Sequence, residues 1–132
     1  MQPEVTIIIP TYNRESLIGE TLNSVLKQDF QDWECLIVDD GSTDGTLDII
    51  QEYISSDSRF ILHKRDDSIK GAAKCRNIGI QKARGSYIIF LDSDDLLATY
   101  CLSQRVASIK NTDYDFVVTP MLYFNTYIGD DS

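Results

Sequence analysis

Ser86-Tyr87-Ile88-Ile89-Phe90-Leu91-Asp92-Ser93-Asp94-Asp95 joins an apolar run of strand length to three carboxylates within four residues. An apolar run this short reads as a buried strand, and the acids mark where it ends. Side chains two apart on a strand share a face, so a chain that stays extended points Asp92 and Asp94 together. Like charges held side by side are unfavourable unless a cation lies between or beside them. All-oxygen ligation suits Mg²⁺ or Mn²⁺ rather than zinc, and these ions usually accompany a phosphate-bearing substrate. The stretch predicts a metal–nucleotide site. A merely solvated acidic loop is the alternative.

Outward from this run the same pattern repeats. Val5 to Ile9 is a continuous β-branched strand ended by Pro10, patterned for burial on both faces. Leu17, Ile18, Leu22, Val25 and Leu26 recur at helical spacing through Gln28, and Asn13 is placed to cap a helix starting near Arg14. Glu34 to Asp39 gives a second strand, and Ser42, Thr43 and Asp44 offer capping oxygens to a helix carrying Leu47, Ile50 and Ile54. Phe60 to Leu62 is a third short strand. Ala72 to Ala83 is a helix ended by Gly85, Tyr87 to Leu91 a fourth strand, and Leu96 to Ile109 a helix capped by Asp95. Asp115 to Val118 suggests a fifth strand. Alternating strands and helices imply an α/β fold: a mainly parallel, doubly wound sheet with helices on both faces. Such sheets bind ligands beyond the carboxyl ends of their strands. One crevice then collects Thr11-Tyr12-Asn13, Asp39-Asp40-Gly41-Ser42 and Asp92-Ser93-Asp94-Asp95.

At 132 residues the chain is a single domain by length, residues 1–132, and small for a complete two-substrate enzyme. Twelve basic against 21 acidic side chains leave a net charge of −9, which argues against nucleic acid or an anionic membrane surface as partner. Seven of the twelve basic residues nevertheless fall within 21 positions: Lys64, Arg65, Lys70, Lys74, Arg76, Lys82 and Arg84. That local surplus either faces a diphosphate or is an ordinary solvated surface. Cys35, Cys75 and Cys101 lack metal-type spacing and read as reduced thiols of a cytoplasmic protein. The single histidine, His63, leaves no room for histidine-based nucleophilic or metal-cluster chemistry. No apolar span approaches the roughly 20 residues of a membrane helix. A longer parent at the inner membrane face stays compatible with that.

Four stretches in register resemble the family 2 glycosyltransferases with a GT-A fold: Val5–Asn13, Leu36–Thr46, Gly71–Gly79 and Gly85–Asp95. The resemblance implies an inverting, hexosyltransferase-like enzyme that moves a sugar from a nucleotide-diphospho-sugar, a UDP-sugar, to a glycan or lipid-linked acceptor in polysaccharide synthesis. It implies that Tyr12 stacks on the base, that Thr11 adds backbone contacts, and that Asp40 accepts from the base's ring N–H. Asp39 is the alternative for that last role, with the other acid orienting the loop. Arg76 would reach the nucleotide or its phosphates. Asp92 and Ser93 would hold the ribose within an Asp-x-Asp signature, and Asp94 would bind Mn²⁺ or Mg²⁺. For Tyr12 the competing reading is a ring packed against the first helix; for Arg76, a plain surface arginine. In this family the catalytic base comes from the acceptor-binding half, so the resemblance predicts a chain that ends before that half.

Rival classes fit less well. A phosphorylation receiver needs acids after the first strand and a lysine after the last, where Thr11-Tyr12-Asn13 and Val118-Thr119-Pro120 stand. Neither a Gly-x-Gly-x-x-Gly turn nor a Walker A lysine follows the first strand. A nucleotidyltransferase on a similar sheet is the enzymatic alternative, and a non-catalytic sugar-nucleotide-binding module the non-enzymatic one.

Overall fold

The computed structural model describes residues 2–65 and 70–110. Four strands, β1 (Val5–Thr11), β2 (Trp33–Asp39), β3 (Phe60–Lys64) and β4 (Tyr87–Phe90), form one sheet in the order β3-β2-β1-β4. Every pairing is parallel. Between them run α1 (Ile18–Leu26), α2 (Thr46–Ser56) and α3 (Ala72–Lys82), and α4 (Cys101–Lys110) follows β4. The expected fifth strand at 115–118 lies outside the described residues. Among those residues no helix is long and apolar enough to cross a membrane.

All seven residues of β1 and of β2 are buried, as their unbroken apolar runs require of central parallel strands. Val5, Ile7, Ile9, Cys35 and Ile37 pack with Ile18, Leu22 and Val25 of α1, Ile50 of α2, and Leu102 and Val106 of α4. Leu36 and Val38 turn to the opposite face and meet Cys75 and Ile78 of α3. Burying one such aliphatic side chain contributes about 1.5–3 kcal/mol, which makes the two faces the main stabilising term.

Pro10 does not end β1, contrary to expectation; it pairs in register with Val38, and the strand runs on to Thr11. Ile8 accepts the Leu91 N–H on the β4 side, while Thr11 accepts the Asp40 N–H on the β2 side. Pro10 therefore turns its missing N–H toward the edge where β4 has already stopped, and no ladder bond is lost.

Three other local expectations are corrected. Asn13 does not cap α1; it sits at φ 50° and its Oδ1 accepts from the Thr43 and Asp44 N–H groups at 2.8 and 3.3 Å, bracing the loop that leads to α2. Gly85 does not terminate α3 by a left-handed turn, because α3 stops at Lys82 and Gly85 instead lets the chain pass against β1. The last helix begins at Cys101, not Leu96, so Asp95 caps nothing there. Residues 97–102 spend their backbone groups on α1 and its exit: the Leu97 N–H donates to Ser24 Oγ, Gln28 Nε2 donates to the Ala98 carbonyl, and the Leu102 N–H donates to Gln28 Oε1. Tertiary anchors outweigh local helix preference over this stretch.

Candidate active site

β2 and β3 lie on one side of β1 and β4 on the other, so the direction of the crossovers reverses at β1. Such a reversal opens a crevice at the carboxyl edge of a parallel sheet. Here it is a cavity of about 380 Å³ lined by Tyr12, Asp40, Cys75, Arg76, Asp92 and Asp94, with Thr11, Arg14 and Ser93 also on its wall. The seven residues expected to hold the nucleotide-sugar or the metal border this one space, whereas Asn13, Asp39 and Asp95, expected in the same crevice, are not on its wall.

At the β1 end Thr11 is buried, and its hydroxyl has no hydrogen-bond partner among the described residues. Tyr12 is 44% exposed and lines the cavity. The ammonium of Lys70 stands 4.5 Å above the Tyr12 ring centroid.

The two acids ending β2 divide their duties. Asp39 is buried and orients the loop: its Oδ2 accepts the Gly41 and Ser42 N–H groups at 3.0 and 2.8 Å, and Oδ1 accepts the Ser42 hydroxyl at 2.5 Å. Asp40 turns to the crevice. Its Oδ1 pairs with the buried Arg65 guanidinium, and its Oδ2 accepts the Gly71 N–H at 2.8 Å. A carboxylate offers about four lone-pair positions, so two occupied ones leave Asp40 able to accept from a ligand.

The third strand end differs from the sequence expectation in its mechanism. The chain does not stay extended past β4; the Asp95 N–H donates to the Asp92 carbonyl at 3.0 Å, closing a turn. Strand alternation therefore does not align Asp92 with Asp94. The turn does the gathering, and it brings in Asp95 as well. One carboxylate oxygen from each of Asp92, Asp94 and Asp95 lies within 4.8 Å of the other two. Burial, and then the charges of Asp94 and Asp92, hold the Asp95 carboxyl above its ordinary value. Arg76 Nη2 meets Asp92 Oδ1 at 3.0 Å and offsets part of this charge. Ser93 is buried, with its carbonyl held by Thr21 Oγ1 at 3.0 Å, which anchors the turn to α1. Three convergent oxygen donors, two of them exposed, fit a hard divalent cation such as Mg²⁺ or Mn²⁺.

The basic surplus splits. Arg76 lines the crevice, Lys70 stands over the Tyr12 ring and the buried Arg65 pairs with Asp40, whereas Arg84 serves the far end of the sheet, where its Nε donates to Glu34 at 2.9 Å. Arg65 and Lys70 are the residues that sequence reasoning left unassigned. Their only signal was membership of the basic run.

The family model described as Glycosyl transferase family 2 matches residues 6–131. The chain is similar to a UDP-Glc:α-D-GlcNAc-diphosphoundecaprenol β-1,3-glucosyltransferase of Escherichia coli, at 39% identity over 113 residues, 86% of this chain and 44% of the relative. It is similar in structure to Staphylococcus aureus TarS 1–349 in complex with UDP-GlcNAc, at TM-score 0.76 and 36% identity, over 82% of this chain and 31% of that one. A mannosyltransferase from Pyrobaculum calidifontis in complex with GDP-Man and Mn²⁺ superimposes at TM-score 0.72 and 31% identity, over 80% of this chain and 32% of its own. The chain thus spans less than half the length of these relatives. With nearly every residue inside the family match and the GT-A type of sheet in place, this chain belongs to glycosyltransferase family 2.

Proposed function

We propose that this chain is the donor-binding domain of an inverting glycosyltransferase that takes its sugar from a UDP-sugar and passes it to a glycan or lipid-linked acceptor. The observation that carries the reading is the meeting of Tyr12, Asp40, Arg76 and the 92–95 carboxylates around one crevice. Tyr12 offers a ring to the base, a contact that contributes roughly 1–3 kcal/mol in single-stranded nucleic-acid complexes. Asp40, paired with Arg65, accepts from a base that carries a ring N–H, as uracil does. Thr11 lines the base end through its backbone. Asp92 and Ser93 take the ribose, and Arg76 the phosphates, for which a guanidinium's planar fork is well shaped. Asp94, assisted by its neighbours in the turn, holds Mn²⁺ or Mg²⁺, which when bound supplies charge neutralisation for a leaving nucleoside diphosphate. The base that deprotonates the acceptor hydroxyl is assigned to no residue of this chain. Two relatives support the donor class by what their names say they bind, UDP-GlcNAc and UDP-Glc. The mannosyltransferase that carries GDP-Man makes guanine the competitor to test.

Calorimetric titration of UDP, GDP and dTDP, with and without Mn²⁺, checks the reading. UDP is expected to bind in a Mn²⁺-dependent manner, and Asp94→Asn to weaken that binding at least tenfold while leaving the metal-free affinity unchanged. Equal affinity for UDP in the variant and the parent, with Mn²⁺ present, removes Asp94 from the metal. A sugar-transfer assay separates an enzyme from a module that only binds.

A further inference from the structure

Lys70 makes three contacts that together point at the base end of the crevice. Its Nζ donates to the Asp40 carbonyl at 2.8 Å and stands 4.5 Å above the centroid of the Tyr12 ring. It also fills the space beside Gly41, where a Cβ would come within 2.8 Å of the ammonium. Gly41 has φ 98°, a backbone that disfavours side chains, so glycine there both makes the turn and leaves the ammonium its place. The next residue, Gly71, has φ 151° and donates its N–H to Asp40 Oδ2. From one short stretch, therefore, Asp40 receives a bond on its carbonyl and another on its carboxylate, while the neighbouring ring receives a cation on one face. Tyr12 remains 44% exposed and lines the cavity.

We propose that Lys70 is a positioning residue for nucleobase recognition: its ammonium ties the end of β2 to the Tyr12 ring, so that the stacking surface and the Asp40 acceptor keep a fixed spacing. This deepens the donor-site reading above and rests on it. The ammonium acts through Tyr12 and Asp40. The carbonyl bond takes one of the three N–H donors of the ammonium, and a phosphate contact by the others is the outcome that the uridine–UDP comparison below separates. A cation over an exposed ring and one hydrogen bond to a carbonyl correspond together to about a five- to tenfold effect on affinity.

The test compares uridine with UDP on the 132-residue chain, with chemical-shift titration for the nucleoside and calorimetry for the diphosphate in Mn²⁺. Lys70→Ala is expected to weaken uridine and UDP by the same factor, about five- to tenfold, and Lys70→Arg to recover most of the loss. In a Tyr12→Ala background, Lys70→Ala is expected to cost less than twofold, because the ring it positions has gone. Lys70 is on the surface, so folding of the variants is not at issue. A much larger loss for UDP than for uridine makes Lys70 a phosphate ligand and overturns the proposal. So does an unchanged affinity for both, or full additivity with Tyr12→Ala. If Lys70→Ala is silent while Tyr12→Ala weakens uridine, the donor-site reading stands and only this inference falls. If the parent chain binds neither ligand, both fall together.

Discussion

Gly85 stands where the chain turns into β4 beside β1, and a Cβ built on it would lie 2.5 Å from the Thr6 backbone nitrogen and 2.7 Å from the Val5 carbonyl carbon. Those are main-chain atoms of a central strand and cannot yield. Gly79 of α3 meets the Ile8 side chain instead, with Cγ2 at 2.5 Å and Cδ1 at 3.0 Å, and a side chain can change rotamer. The two alanine substitutions should therefore rank. Gly85→Ala is expected to destabilise by about 3 kcal/mol or more and Gly79→Ala by about 1–2 kcal/mol, read from urea midpoints at constant m-value. At this scale the sequence announced the acids but not their partners. That Asp40 follows a buried strand was legible from Cys35 to Val38. Its pairing with Arg65 joins residues 25 apart across α2 and β3, which no local pattern encodes.

Elements are held to one another by buried polar contacts, and the one at the amino edge of the sheet depends on pH. Glu34 of β2 accepts the Thr6 hydroxyl at 2.6 Å, the Arg84 N–H at 2.8 Å and Arg84 Nε at 2.9 Å, tying β1, β2 and the exit of α3. Burial works against its ionisation, but the bonds from Thr6 and Arg84 outweigh it and hold the carboxyl below its ordinary 4.5. The folded value lies below the unfolded one, so the unfolded chain binds the proton more readily. Stability from Glu34 is then complete above pH 4.5 and lost as pH falls through the folded value. Glu34→Gln should cost about 1–3 kcal/mol at pH 7 and flatten the acid limb of the stability curve, which urea titrations at pH 7, 5 and 3 would reveal. An acid limb as steep as the parent's would mean that other carboxylates set it. β1 and β2 were readable from their apolar runs because burial on both faces leaves no other pattern; β4 carries the same kind of run but is not the buried strand expected of it, since as an edge strand it exposes Ile88 and Phe90. The start of α4 was not, since Ser24 and Gln28 claim the backbone groups that a helix from Leu96 would have used for itself. Likewise the 92–95 turn replaced the extended path that alternation assumed, and reached the same gathering of carboxylates by a different backbone.

For the whole molecule, the crevice joins parts that the sheet alone does not hold rigidly together: the ends of β1 and β2, the start of α3, and the turn after β4. A ligand that touches all of them adds its binding free energy to the folded state only, because the unfolded chain cannot assemble the site. The acids of the turn repel one another and the chain carries a net charge of −9, so a divalent ion and a diphosphate should stabilise it together more than either does alone. With UDP at 100 times its Kd in the presence of Mn²⁺, the added stability is about 2.7 kcal/mol, which for a domain of this size raises Tm by roughly 10 °C. Chelation with EDTA should return most of that shift while UDP remains in the cuvette, and Asp94→Asn should show the chelated behaviour from the outset. A UDP-induced shift that survives EDTA undiminished would separate nucleotide binding from the acidic turn. The 92–95 carboxylates would then be solvated surface, and recognition would rest on Tyr12, Asp40 and Arg76 alone.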